Sequence, residues 1–125
     1  MNNLIIDTAG ENIFLKIISQ DKEYNIKHNN SRENFDKLVI LVFNFLNKNK
    51  IDLSTVGNIF VNQGPGKYSS IRSAISLVKA IKISSKANIY GYYTSQIVDN
   101  NYDNLLKLLE EGRLTKNFIQ PKYLN

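Results

Sequence analysis

The residues with chemistry to offer are few. Asp7 follows the apolar run Leu4-Ile5-Ile6, where a buried strand would end in the polar turn Asp7-Thr8-Ala9-Gly10. A carboxylate there can help hold a metal, but a two-metal nuclease needs several converging acids. Glu11 lies beyond that strand, no acid falls within 57–62 or 64–67, and Asp52 precedes the later strand at its wrong end. Asp7 and Thr8 are therefore read as capping a turn. Gly64-Pro65-Gly66-Lys67 stands before a helix start, where free N–H groups and the helix dipole attract an anion. It is not a Walker-type phosphate loop: Val61 stands where the first glycine must be, and Tyr68 follows Lys67 in place of Ser or Thr. A strand-to-helix turn is the primary reading of this loop and anion binding the alternative. His28 is the single histidine and there is no cysteine, which excludes HExxH proteases, two-histidine and thiolate metal sites, and cysteine nucleophiles. The expectation is no catalytic residue, no metal and no cofactor.

The elements that would position these residues follow from periodicity. Leu4-Ile5-Ile6, Ile13–Ser19 and Lys22–His28 read as strands, with Gln20-Asp21 as a hairpin turn. Ser31 is a good N-cap for a helix from about Arg32 to Lys48. Val56–Asn62 is a strand, Tyr68–Ser85 a helix, Asn88–Tyr92 a strand, and Asp103–Glu111 a short helix closed by Gly112. The tail from Gln120 to Leu124 is extended. Three antiparallel strands followed by strand–helix–strand crossovers predict a five-stranded mixed α/β sheet, with the two long helices on one face. Residues 1–125 make one domain with a short tail from about 97, and the order is similar to a single ribonuclease H-like half-domain of the actin-like ATPase superfamily.

Composition agrees. The 125 residues are 42% hydrophobic and 22% charged, which fits one folded domain. The net charge of +5 is spread from Lys16 to Lys122 and is read as a solvated surface. No apolar run approaches the ~18 residues of a membrane span, and Asp7 interrupts the first apolar stretch, so no signal peptide and a cytoplasmic location are expected.

Both long helices carry more apolar surface than one core contact uses. On the first, Phe35, Leu38, Val39, Val42 and Leu46 share a face, extended by Leu41 and Phe45 on one flank and Phe43 on the other. That arc spans roughly 200°, against the ~100° stripe of a surface helix. On the second, Ile71, Ala74, Ile75, Val78 and Ile81 form a core face, while Ser69, Ser73, Ser76, Ala80 and Ser84 make a stripe of small residues. A helical interface is expected, with Ser69, Ser73, Ser76, Leu77 and Ala80 at the seam and Leu38, Leu41 and Phe45 facing it.

Several segments resemble the TsaB (YeaZ-like) family. Leu4-Ile5-Ile6-Asp7-Thr8-Ala9 is similar to its opening strand. Gly64-Pro65-Gly66-Lys67-Tyr68-Ser69-Ser70-Ile71-Arg72 resembles its motif Gly-Pro-Gly-Ser-Phe-Thr-Gly-(Leu/Val)-Arg, departing at Lys67 and Ser70. Ile89-Tyr90-Gly91 before Thr94-Ser95 fits the same register, and Pro121-Lys122-Tyr123-Leu124 resembles the closing Pro-x-Tyr-Leu-Arg, with Asn125 in place of Arg. The resemblance covers roughly 3–96 and the tail, and implies a shortened form without most of the second half. It further implies a non-catalytic subunit for threonylcarbamoyladenosine synthesis on transfer RNA. Helices 32–48 and 68–85 would pair with a TsaD-like catalytic subunit, or with a second copy when alone. A TsaE-like ATPase would join the pair, and transfer RNA would be met only through the complex. The alternative is a small ribonuclease H-like enzyme acting on nucleic acid or phosphoesters, which the scarcity of acids disfavours. A peptidase would need a metal-binding pair that this sequence does not offer.

Overall fold

Strand β1 (Asn2–Asp7) is buried on both faces from Leu4 onward, so its side chains alternate between two apolar layers. In the computed structural model, which describes residues 1–116 and 119–123, it lies third in a six-stranded sheet of order β3-β2-β1-β4-β5-β6. β2 (Asn12–Ile18) and β3 (Glu23–Asn29) extend it as an antiparallel meander. β4 (Val56–Asn62) pairs with β1 in parallel, and β5 (Asn88–Tyr92) pairs with β4 in parallel. A two-residue β6 (Thr115–Lys116) closes the edge antiparallel to β5. The mixed α/β class is as expected, but the sheet has six strands rather than five. β6 is too short to generate a periodic signal, so it is invisible in the sequence.

The layers follow from the alternation. Leu4 and Ile6 of β1, Ile13, Leu15 and Ile17 of β2, and Ile59 and Val61 of β4 face one side. There they meet α2 (Leu38–Lys48) through Leu38, Val42, Phe45 and Leu46, and α3 (Tyr68–Ser84) through Ile71, Ala74, Ile75, Val78 and Ile81. Ile5, Phe60 and Tyr92 point the other way and pack on Tyr102 and on Leu105 and Leu108 of α4 (Asn104–Glu110). Both long helices therefore lie on one face of the sheet, as the strand–helix order predicts, and α4 covers part of the other. Among the described residues no helix is long and apolar enough to cross a membrane.

The expected helix 32–48 is broken in two. A short α1 (Arg32–Phe35) starts at Ser31, whose Oγ accepts from the Asn34 amide at 3.3 Å. At Lys37 the backbone leaves helical geometry (φ −113°, ψ 30°) before α2 begins. α1 packs on α3 with Phe35 against the core, and the turn lets α2 lay its own apolar stripe on the sheet. Tertiary packing overrides a stretch whose local propensity permits one helix.

The turn between β4 and α3 is built around Lys122 and Tyr123 of the tail. Gly64 has φ +116°, a conformation that side chains avoid, and a Cβ there would overlap the Lys122 carbonyl oxygen. The Lys122 amide donates to the Gln63 carbonyl at 2.7 Å, the Gly66 amide to the Lys122 carbonyl at 3.3 Å, and Gly66 pairs with Tyr123 in a parallel bridge. Gly66 also lies against Ile71 and Ala9, where a Cβ would come within 3.0 Å. Backbone strain of this kind is worth roughly 1–3 kcal/mol. Gly64→Ala should lower the urea-unfolding free energy by at least about 2 kcal/mol, since overlap with the tail adds to the strain. An unchanged midpoint would contradict this account of the turn.

Candidate functional site

The parallel strands β1 and β4 end side by side, and a cleft of about 460 Å³ opens at their carboxyl ends, where open α/β sheets commonly bind ligands. Asp7, Glu11, Asn12, Lys27, Asn62 and Thr94 are among its lining. Asp7 is only 6% exposed. Its Oδ1 accepts from the Ala9 amide at 3.0 Å, which is the expected turn cap. Its Oδ2 accepts from the Tyr102 hydroxyl at 2.8 Å and the Tyr92 hydroxyl at 3.3 Å. Burial pushes both phenols well above the ordinary tyrosine range, and the neighbouring Asp7 charge pushes them further. They therefore persist as donors, and the carboxylate is held from three directions. Phe14 stacks on the Tyr102 ring at 4.8 Å, and Lys16 bridges Glu23 (3.4 Å) and Asp103 (3.7 Å), fastening the turn before α4 beneath the cleft. Among the described residues no three His, Cys, Asp or Glu side chains converge as a metal site.

Asp7 to Tyr92 and Tyr102 are sequence separations of 85 and 95 residues, and no local pattern announces either contact. His28 lies on the edge strand β3, paired in register with Ile13.

Residues around the glycine-proline-glycine loop hydrogen-bond to it and to each other within the chain. Asn62 Oδ1 accepts from the Gly64 amide at 2.8 Å, and Asn62 Nδ2 donates to Thr94 Oγ1 at 3.0 Å. Thr8 Oγ1 donates to the Ser70 carbonyl at 2.8 Å while Ser70 Oγ donates back to the Thr8 carbonyl at 3.1 Å. Ser70, where the motif has glycine, thus ties α3 to the end of β1 at a fully buried position. Lys67 is exposed, and Arg72 turns to Tyr68, donating to its hydroxyl at 3.2 Å.

The helix face divides differently from the sequence expectation. Leu38, Phe45 and Leu77 are buried in the chain's own core and Leu41 is half-buried, because α2 and α3 settle deeper on the sheet than an even sharing of their arcs would give. The outward apolar residues of α2 are instead Val39 (53% exposed), Ile40 (57%) and Phe43 (36%). On α3, Ser69, Ser76 and Ala80 are exposed and Ser73 is half-buried. The small-residue stripe therefore faces outward from the same side of the sheet as Val39, Ile40 and Phe43.

These features define a mixed α/β fold whose strand ends carry a buried, tyrosine-bound aspartate and whose helical layer exposes apolar side chains on its outer side. YeaZ from Pseudomonas aeruginosa has this fold: it superposes with a TM-score of 0.71 over 89% of this chain and 50% of that one, at 20% identity. A second structure, an uncharacterized protein with similarity to peptidase YEAZ from Pseudomonas aeruginosa, gives a TM-score of 0.67 over 74% of this chain and 43% of that one, at 21% identity. In sequence, the chain is 26% identical over 95 residues to the tRNA threonylcarbamoyladenosine biosynthesis protein TsaB of Buchnera aphidicola subsp. Schizaphis graminum (strain Sg). That match covers 76% of this chain and 45% of the relative. TsaB of Buchnera aphidicola subsp. Baizongia pistaciae (strain Bp) is 24% identical over 80 residues, 64% of this chain and 36% of the relative. No family profile matches the chain. The chain is thus similar to TsaB and YeaZ proteins, and it spans half or less of their length.

The Asp7 cluster predicts an alkaline limb of stability. Each phenol titrates higher in the folded chain than its ordinary value of 10, so its contribution is complete below pH 10 and is lost as pH rises beyond it. Tyr102→Phe should destabilise by about 1.5–3 kcal/mol near neutrality, the worth of a hydrogen bond to a charged group. It should also flatten the fall in stability between roughly pH 10 and 11.5. Urea midpoints across that range check both, and parallel pH profiles would contradict the assignment.

Proposed function

We propose that this chain is a non-catalytic partner subunit in threonylcarbamoyladenosine biosynthesis on transfer RNA, acting in the cytoplasm. Its outer helical face would dock on a TsaD-like catalytic subunit, with a TsaE-like ATPase joining the pair; alone, the same face would pair two copies. The observation that carries this reading is the surface of α2 and α3. Val39, Ile40 and Phe43 offer apolar contact, and the exposed small residues Ser69, Ser76 and Ala80 let a partner helix approach closely. The likeness to TsaB supports the pathway part of this reading. A standard interface buries roughly 800 Å² per partner, an area that two adjacent helices of this length can present.

The Asp7 cluster supports the non-catalytic part. Both carboxylate oxygens already accept hydrogen bonds from the chain itself, and Glu11 is the other acid lining the cleft. A ribonuclease H-like enzyme would need that carboxylate turned toward a metal and joined by further acids. The retained role is structural: Asp7 fastens the end of β1 to β5 and to the start of α4.

Ile40→Glu and Ala80→Glu place a charge in the proposed seam without touching the core. Each should weaken capture of a TsaD-like subunit by two or more orders of magnitude, because a charge buried without a partner is worth several kcal/mol. Sedimentation of the mixed subunits, with circular dichroism as the folding control, measures this. Folded variants that associate as the wild type does would overturn the assignment, as would a wild-type chain that binds neither a TsaD-like subunit nor itself.

A further inference from the structure

The positive charge of this chain is dispersed from Lys16 to Lys122, but the negative charge leaves long stretches empty. No acid occurs between Asp52 and Asp99, and none follows Glu111. The structure brings these two acid-free stretches together. The tail runs along one flank of α3: Ile119 sits by the helix's second half, and the Tyr123 ring lies tilted at 43° against Tyr68 at its first turn, with ring centroids 4.6 Å apart. Lys79 and Lys82 of α3, Lys116 of β6, Ile89 and Ile119 line a pocket of about 220 Å³ on that flank. Arg72 lies 5.8 Å from the centre of the Tyr68 ring, which is 55% exposed. The ion pairs among the described residues involve none of Arg72, Lys79, Lys82 or Lys116. Tyr68 and Lys79 are eleven positions apart, about 16 Å along the helix.

We propose that this flank is a binding groove for single-stranded RNA. A base stacks on the exposed Tyr68 ring, which half-buried Tyr123 backs, beside the Arg72 guanidinium, and the following phosphates lie over Lys79, Lys82 and Lys116. A cationic groove punctuated by aromatic rings is the arrangement that holds single strands, since every base has a stacking face and every nucleotide a phosphate. The aromatic pair favours a nucleic acid over an acidic peptide, which has no base to stack. The span of about 16 Å admits a few nucleotides. Around the α3 axis the groove lies to one side of the Ser69–Ala80 stripe, so RNA and a protein partner can be held together. The inference does not depend on the subunit reading.

Fluorescence anisotropy of the full chain with a labelled, mixed-sequence 12-nucleotide RNA tests it. Engaging about three phosphates gives a slope of log K against log salt near −2, so affinity should fall roughly 15-fold between 50 and 200 mM salt. Lys79→Glu with Lys116→Glu should weaken binding at least about tenfold and flatten that slope. Tyr68→Ala should weaken it roughly 5- to 100-fold with the slope unchanged, because stacking displaces no counterions. Lys22→Glu with Lys48→Glu, which makes the same change in net charge on other elements, should leave affinity within about twofold. Ile40→Glu should retain RNA binding while losing the protein partner, which separates failure of this inference from failure of the subunit reading. The groove is overturned if no binding is seen below about 100 μM RNA at 50 mM salt. It is equally overturned if the control pair weakens binding as much as the groove pair, if Tyr68→Ala has no effect, or if polyglutamate or anionic vesicles bind as tightly as the RNA.

Discussion

Strand β1 has no solvent face from Leu4 to Asp7, and the arrangement of the other elements is referred to that constraint. Leu4 and Ile6 require a helical layer on one side, and Ile5 requires cover on the other. Each fully buried aliphatic side chain is worth about 1.5–3 kcal/mol relative to exposure, so layers on both sides are strongly favoured. The strand then ends in a largely buried carboxylate, and two tyrosines from opposite ends of the 92–102 segment join the Ala9 amide as its donors. Those bonds tie β5 and the turn before α4 to the middle of the sheet. A buried carboxylate without such partners would be strongly unfavourable, which explains why Tyr92 and Tyr102 sit where they do.

The same logic separates the two ends of the molecule. The cleft at the carboxyl ends of β1 and β4 has the position of a ligand site, yet its carboxylate is engaged by the protein itself. The helical layer has the reverse character: its inner side packs on the sheet, and its outer side carries Val39, Ile40 and Phe43 with no covering element among the described residues. A surface of that kind marks an interaction site more readily than an isolated exposed residue does. The glycine-proline-glycine turn stands between them. It joins the end of β1 through Thr8 and Ser70 and the tail through Lys122, so it serves as a structural junction from which α3 is aimed.

Much of the fold was legible because burial imposes periodicity. The strands β1 to β5 and α3 follow from apolar spacing, and the placement of both long helices on one face follows from that spacing together with the strand–helix order. The break at Lys37 was not, because no Gly or Pro marks it and the cause is packing of α1 on α3. β6 was too short to register, and the Tyr92 and Tyr102 contacts to Asp7 join residues too distant for any local rule. The division of the helices into core and outer faces was half legible. The stripe of small residues is exposed as read, except for half-buried Ser73, but Leu38, Phe45 and Leu77 belong to the core, since the depth at which a helix seats is set by its neighbours and not by its own sequence. The basic flank was hidden for a different reason: the positions of lysines carry little information when they are dispersed, whereas the absence of acids from 53–98 and 112–125 was visible throughout.

The central claim is that the outward side of α2 and α3 is the surface this chain presents to a protein partner. Hydrogen–deuterium exchange of the chain, alone and mixed with a TsaD-like subunit, tests it most directly. The account predicts added protection over 38–48 and 68–84 on mixing, with the meander at 12–29 unchanged. Protection confined to the meander and the Asp7 cleft, with both helices exchanging as in the free chain, would contradict it.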